Sequence, residues 1–417
     1  MMHARRVLLS FVCVFFPSVV CAQAEHEKAL SLADTARTET LKPRDAQIFT
    51  EVSNRVLQRP DGAWRYGLVL SADVRYQRDF GSGLRFVFSD RLDVGLTETA
   101  GENTVNSLRE AYVTKELGQS SVIDLGRINR RYGVATGYNP TDFFKTNAVR
   151  SVVSIDPYVL RENRLGTVMA GGQTAWSSGS LTVLYAPKLA NEPSVESLSP
   201  DLGSTNARHR GLVVFTQRLA HDFAPQWLLY QEEGRSPRYG VNLTHLVGSS
   251  TVLFLEWAGG RRQRLLHEAF GTPGDRTFRQ QAAAGATYTA AAGPSITLEY
   301  DYNGTGLTRS QWDALRSTPG SPFTQYVLFT GKLQDPPTRH ELFAYVRWPN
   351  VVRQLELRAF VRHSVTDDSR LYWIEGRYHW VNTELALQWQ HTDGARNTEY
   401  GVLPQRSLWN LVWRQYF

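Results

Sequence analysis

The chain has 417 residues, of which 42% are hydrophobic and 21% charged, and its formal net charge at pH 7 is +6. A charge this small on a chain of this length does not indicate a nucleic-acid partner. Both cysteines lie within the first 21 residues, which excludes disulfides, thiolate metal sites and cysteine nucleophiles from the rest of the chain.

The first 24 residues have the pattern of a secretory signal peptide. Arg5 and Arg6 precede an apolar segment at 7–20, and a small-x-small cleavage site follows at 22–24. Cleavage there would remove both arginines and lower the net charge from +6 to +4. Residues 25–45 are polar, and we interpret them as a periplasmic lead-in rather than a docking element.

From Ile48 onward, apolar and polar residues alternate with the period of two that is typical of amphipathic β-strands. The clearest case is the segment 64–77, where Trp64 and Tyr76 are at the two ends of the apolar face. Its length and its terminal aromatic residues suit a tilted strand that crosses a bilayer. No apolar run of eighteen residues follows residue 24, so a membrane-spanning helix is not expected.

The connections between these segments alternate between long and short. Outer-membrane barrels have short periplasmic turns and long outer loops. We therefore predict an all-β fold, a transmembrane antiparallel β-barrel of about 16–18 strands with long extracellular loops, formed by residues 46–417. We also predict a strand at 326–333, within an outer loop. Four arginines on the polar faces are expected to line a water-filled lumen, namely Arg65, Arg75, Arg358 and Arg362.

One long stretch, 126–172, shows neither strand alternation nor helical periodicity. A long irregular connection in a strand protein is usually functional or disordered. We predict that this stretch, at about 130–164, folds into the barrel mouth and narrows a pore. Its candidate constriction residues are mostly basic: Arg127, Arg130, Arg131, Asp142, Lys145, Arg150, Arg161 and Arg164.

The C-terminal strand resembles the assembly signal of Gram-negative outer-membrane barrels. Its apolar residues are spaced at even intervals up to a terminal aromatic residue, while Gln415 departs from the pattern; the matching residues are Trp409, Leu411, Trp413 and Phe417. The resemblance implies residence in the outer membrane, among its lipids and lipopolysaccharide. It also implies assembly by the barrel assembly machinery.

A second resemblance is to porin-like channels. Residues 109–113 and Leu125-Gly126-Arg127 resemble a porin strand pair that leads into an aromatic-Gly pair, here 132–133, and an Asn-Pro segment, here 139–142. Ile128 and Tyr132 replace the Gln and Trp of the usual pattern. The resemblance implies an outer-membrane channel and does not name its solute.

The sequence has no hydrolase elbow, no His-Glu-x-x-His, no phosphate-binding loop and no dinucleotide fingerprint. We therefore predict no enzyme, no cofactor and no metal site. The predicted function is passive passage of small polar solutes, and a preference for anions is left open. The alternatives are a secretion or scaffold barrel for a polymer or periplasmic partner, and a lipid-modifying barrel enzyme. The oligomeric state is also open.

Overall fold

The computed structural model describes residues 45–96, 104–220, 223–320 and 322–417. The predicted signal peptide at 1–24 and the lead-in up to residue 44 lie outside the described residues. The first nine strands are β1 Ala46–Gln58, β2 Trp64–Asp79, β3 Leu84–Gly95, β4 Thr104–Leu117, β5 Ser121–Ile128, β6 Thr167–Trp176, β7 Gly179–Ala186, β8 Arg210–Gln217 and β9 Gln226–Glu232. The other nine are β10 Arg238–Val247, β11 Thr251–Arg262, β12 Thr277–Thr289, β13 Ser295–Asn303, β14 His340–Val352, β15 Leu355–Ser364, β16 Arg370–His379, β17 Thr383–Asp393 and β18 Ser407–Tyr416.

The strands close into a barrel. Each pairs antiparallel with its neighbours in the chain, and β1 pairs with β18 from Phe49↔Tyr416 to Gln58↔Ser407. Closure leaves no sheet edge exposed. The predicted antiparallel barrel is confirmed, and the strand number is eighteen.

The two faces of the barrel wall differ in polarity, as the alternation predicts. On β2, Tyr66 and Leu70 point outward and are 69% and 40% exposed, whereas Ser71 and Asp73 point inward and are buried. An apolar outer face and a polar inner face are typical of barrels that lie in lipid. Within the ranges given above, no helix is both long and apolar enough to cross a membrane.

In the described part of the chain, five helices lie in the long outer loops: α1 Pro157–Glu162, α2 Leu202–Thr205, α3 Leu265–Phe270, α4 Arg309–Arg316 and α5 Pro322–Leu333. The prediction of a strand at 326–333 is wrong, because these residues belong to α5. Tyr326 and Val327 are buried there in a cluster with Trp312 of α4. A short apolar run does not distinguish a strand from a buried helix.

The barrel interior is divided into two sides. On the side of β5 to β11, the inward residues form an apolar cluster in which Leu184 and Leu228 pack with Phe143 and Phe144 of the connection between β5 and β6. On the side of β1 to β3 and β15 to β18, many inward positions carry buried charged groups, among them Glu51, Asp73, Arg91, Arg358 and Arg377. A water-filled path is therefore expected on the charged side.

Candidate functional site

The connection between β5 and β6, residues 129–166, folds back inside the barrel. We call it the inner loop. Two wall glutamates, Glu256 of β11 and Glu299 of β13, accept hydrogen bonds from its backbone between residues 134 and 141. A buried loop needs partners for its N–H groups, and these carboxylates provide them.

Glu256 is fully buried, and its carboxylate accepts five hydrogen bonds from the inner loop. Oε2 accepts from the backbone N–H groups of Val134 and Ala135 at 2.9 and 3.2 Å. It also accepts from the Asn139 side chain at 3.2 Å. Oε1 accepts from the N–H and the hydroxyl of Thr141 at 2.7 and 2.8 Å. Convergent donors of this kind stabilise a buried negative charge.

Glu299 holds the next turn of the inner loop. Its Oε2 accepts the N–H of Thr136 at 2.8 Å, and its Oε1 accepts those of Gly137 and Tyr138 at 3.0 and 2.8 Å. A Cβ atom at Gly137 would lie 2.7 Å from the Phe343 ring. Only glycine therefore allows the backbone to approach the wall this closely.

The aromatic-Gly and Asn-Pro motifs of the sequence have structural roles in this loop. Gly133 has a φ of +103°, and a Cβ atom there would lie 2.6 Å from Glu256. Asp142 forms an ion pair of 2.8 Å with Arg164, and both side chains are at most 2% exposed. The ion pair connects two distant parts of the inner loop, so these two candidate constriction residues stabilise the conformation of the loop.

Lys145 joins the inner loop to the outer loop that precedes β14. Its Nζ lies 2.8 Å from Asp335 Oδ1 and donates to the Gln334 carbonyl at 3.0 Å. Burial would raise the pKa of Asp335, but Lys145 and two nearby arginines outweigh burial and hold that pKa below its ordinary value. Lys145 is thus engaged with the protein rather than with the lumen.

The other candidate constriction residues also have identifiable positions. Arg127 and Arg161 donate to backbone carbonyls of the inner loop at 2.9 and 3.2 Å. Arg150 donates to carbonyls of the loop between β7 and β8, and Arg130 pairs with a carboxylate on β5. Arg131 is exposed. None of the eight candidates lines either of the cavities described next.

Two adjoining cavities follow the charged side of the barrel. The outer vestibule, of about 800 Å³, lies between residues 152–155 of the inner loop and the outer ends of β1, β2, β17 and β18. A narrow cavity of about 30 Å³ lies deeper along the same wall. Both are lined by Val153, Ser154 and Gln388. The shared lining indicates one path that narrows beside the inner loop.

Charged residues surround the narrow cavity: Arg75, Arg91, Arg358, Arg377, Arg414, Glu51 and Glu162. Each of these arginines has a carboxylate partner. The distances are 2.8 Å from Glu51 to both Arg91 and Arg414, and 2.8 Å from Arg358 to Glu356. The narrow cavity is therefore bordered by a continuous network of ion pairs, not by unpaired cations.

The outer vestibule has a different charge balance. It is lined by Arg55, Arg59, Arg65 and Arg396, against one carboxylate, Asp61. Asp61 lies 3.6 Å from Arg59. Among the residues that the structure describes, no carboxylate lies within 4 Å of the other three guanidinium groups. Their positive charge is consequently available to a solute.

Three of the four predicted lumen arginines, Arg65, Arg75 and Arg358, line these cavities. Arg362 instead donates to Glu341 at 2.5 Å and to the carbonyl of Gly137 at 2.7 Å. The sequence interpretation missed six lining arginines, namely Arg55, Arg59, Arg91, Arg377, Arg396 and Arg414. All except Arg59 and Arg396 lie at inward positions of strands, so the alternation contains the signal that identifies those four.

The four residues of the predicted assembly signal point outward. Trp409, Leu411 and Trp413 are 44–48% exposed, and Phe417 is 66% exposed. The Phe417 N–H donates to the carbonyl of Ile48 at 3.0 Å, where β18 meets β1. Across the described ranges, no group of three or more His, Cys, Asp or Glu residues could hold a metal ion.

No family model matches the sequence, and no curated protein matches it. Several solved structures share its architecture, among them three from two bacterial species. The Acinetobacter baumannii protein OccAB1 is 10% identical, with a TM-score of 0.57 over 89% of this chain and 96% of its own. The Pseudomonas aeruginosa proteins OccK8 (OprE) and OccK11 (OpdR) are both 12% identical. Their TM-scores are 0.51 and 0.50, over 89% of this chain and 98% and 96% of theirs. This chain has the fold of the outer-membrane porins.

Proposed function

We propose that this protein is a channel in the outer membrane of a Gram-negative cell, through which small polar solutes pass passively and anions are favoured. The main support is the one-sided lumen. An apolar cluster fills the side of β5 to β11, whereas the vestibule and the narrow cavity follow the charged side. Adjoining cavities bordered by charged side chains along one wall suit hydrated solutes.

Anion preference is proposed to arise in the vestibule. Arg55, Arg65 and Arg396 line it without a carboxylate within 4 Å in the described part of the chain. Fixed charges within low-dielectric walls produce a focused field. Screening extends over about 8 Å at physiological salt, so these charges still act on a solute that enters the vestibule.

In the narrow cavity, alternating arginines and glutamates are proposed to pass a solute without trapping it. Guanidinium groups bind carboxylate and phosphate oxygens in a bidentate manner. The neighbouring carboxylates weaken this attraction, and conduction needs binding that is favourable but reversible. The inner loop contributes Glu162 to this cavity. We therefore propose that the inner loop sets the pore width, while Arg127, Arg161 and Arg164 hold it in place.

The proposal includes export by the signal peptide at 1–24, a lead-in at 25–45, and membrane assembly directed by the C-terminal strand with the barrel assembly machinery. Outer-membrane lipid and lipopolysaccharide would surround the apolar outer face. The proposal assigns no catalytic step to the chain.

The test is conductance of the purified protein in planar lipid bilayers under a gradient of KCl. We expect discrete channels whose reversal potential favours chloride. Replacing Arg55, Arg65 and Arg396 with Gln should move the reversal potential toward cation preference. A matched variant removes the same charge from the inner loop by replacing Arg130, Arg131 and Arg150 with Gln. This variant should change the reversal potential less.

Two outcomes would contradict the proposal. Absence of channels from folded protein would exclude conduction. A larger shift from the inner-loop variant than from the vestibule variant would assign selectivity to the loop arginines, as the sequence alone suggests, and not to the vestibule.

A further inference from the structure

A third cavity, of about 570 Å³, lies at the outer ends of β8 to β12. We call it the outer basin. It shares no lining residue with the vestibule or the narrow cavity. The inner loop separates them, because Phe143, Thr146 and Asn147 face the basin, whereas residues 152–155 face the vestibule.

The outer basin ends on packed protein. Phe143 and Tyr230 line it, and their rings stack with centroids 4.7 Å apart. Both rings belong to the apolar cluster that fills this side of the barrel. A solute that enters the basin therefore meets a closed floor, and the basin is suited to binding rather than passage.

The basin is strongly basic. Its lining contains eight cationic side chains, Arg208, Arg210, Arg235, Arg238, Arg261, Arg262, Arg276 and Lys332. It contains two carboxylates, Glu232 and Glu268. The formal balance is therefore +6, larger than that of the vestibule.

Only part of this charge is neutralised within the protein. The two carboxylates lie 3.2–3.9 Å from Arg208, Arg235 and Arg262. The other five cations have no carboxylate within 4 Å in the ranges that the structure describes. The buried Nε atoms of Arg210 and Arg238 also have no hydrogen-bond partner. Buried donors without partners are costly. An oxyanion in the basin would neutralise the positive charge that the two carboxylates leave.

We propose that the outer basin binds a small polyanion that carries several phosphate groups. Arginine forks match phosphate oxygens in geometry and charge. Five cations without carboxylate partners call for several negative charges, more than one carboxylate group supplies. The volume lies within the range of small-molecule sites. The floor rings, Phe143 and Tyr230, are at most 5% exposed, so the accessible charged groups lie on the walls of the basin.

Titration calorimetry of the full-length folded barrel in detergent, with sodium tripolyphosphate as the probe, tests the proposal. We expect saturable binding of one tripolyphosphate per chain. A basin variant, with Arg261, Arg276 and Lys332 replaced by Gln, should bind about tenfold more weakly, because each exposed ion pair adds a modest amount to affinity. These side chains are exposed, so the variant should fold.

The matched control replaces Arg59, Arg65 and Arg396 of the vestibule with Gln, and should leave tripolyphosphate affinity nearly unchanged. Equal losses of tripolyphosphate affinity in the two variants, or no saturable binding by the original protein, would overturn the proposal. Displacement of bound tripolyphosphate by purified lipopolysaccharide would identify a lipid headgroup as the source of the phosphates; failure to displace it would identify a soluble solute. Because this measurement needs no conduction, its result is separate from that of the bilayer experiment.

Discussion

Replacing Glu256 with Gln is expected to release the inner loop from the wall. In the original protein, Glu256 Oε1 accepts from Thr141 and Oε2 accepts from Val134, Ala135 and Asn139. The Gln side-chain amide keeps one acceptor oxygen, and its NH₂ group faces the donors that the second carboxylate oxygen had accepted. At least one buried N–H then loses its acceptor, at about 1–3 kcal/mol, and the remaining hydrogen bonds lose the charge that strengthens them. Removing the buried charge offsets part of this loss. We therefore expect the free energy of opening the inner loop to fall by about 3 kcal/mol.

Trypsin cleavage after Lys145 measures this release, because this residue is only 7% exposed in the folded protein. When opening is fast relative to cleavage, the cleavage rate follows the population of the open form. A cost of about 3 kcal/mol should raise the rate about a hundredfold. Glu375→Gln is the matched control, since Glu375 is also buried in the wall but bonds to Arg377 and Gln388. Equal cleavage rates in the two variants would refute the anchoring role of Glu256.

Two further outcomes are expected. Deleting Phe417 should lower the amount of folded, heat-modifiable barrel in the outer membrane more than deleting residues 25–40, because the former removes the backbone bond to Ile48 as well as the proposed assembly signal; equal amounts would contradict this. Glu399→Gln should raise the thermal midpoint at pH 7.5 more than at pH 4. Burial raises the pKa of Glu399 well above its ordinary value, and Glu341 adds to the rise. The folded state thus retains a proton that the unfolded chain releases, so stability falls as pH rises above the unfolded pKa of about 4.5. Equal shifts at both pH values would argue against a buried protonated Glu399.

Strand positions could be predicted from the sequence because lipid and water impose opposite demands on successive side chains. The alternation at 64–77 corresponds to β2, Trp64–Asp79. The same reasoning misassigned residues 326–333, where the apolar side chains face α4 and α3 rather than lipid. Periodicity indicates which residues are buried. It distinguishes a strand from a helix only when the apolar run is long enough to tell a period of two residues from a period of 3.6 residues.

The anchors of the inner loop could not be predicted, for a different reason. Glu256 and Glu299 lie at inward positions of β11 and β13, and a glutamate that faces water has the same sequence pattern as one that accepts backbone N–H groups. What distinguishes them is the approach of a segment more than 110 residues earlier in the chain. Strand periodicity describes neighbours along one strand and contains no information about such a partner.

The arginines show how one residue type acquires separate roles in this barrel. Arg164 pairs with a carboxylate of the inner loop and is 2% exposed, so its loss should affect the loop's position before it affects the potential in the lumen. Arg414 lies at the narrow cavity but shares Glu51 with Arg91, and its replacement should leave a buried carboxylate with fewer partners. Arg65 lines the vestibule with no carboxylate in range among the described residues. Its charge therefore acts mainly on solutes. The distance to the nearest carboxylate, rather than position in the sequence, thus predicts whether a substitution alters stability or ion preference.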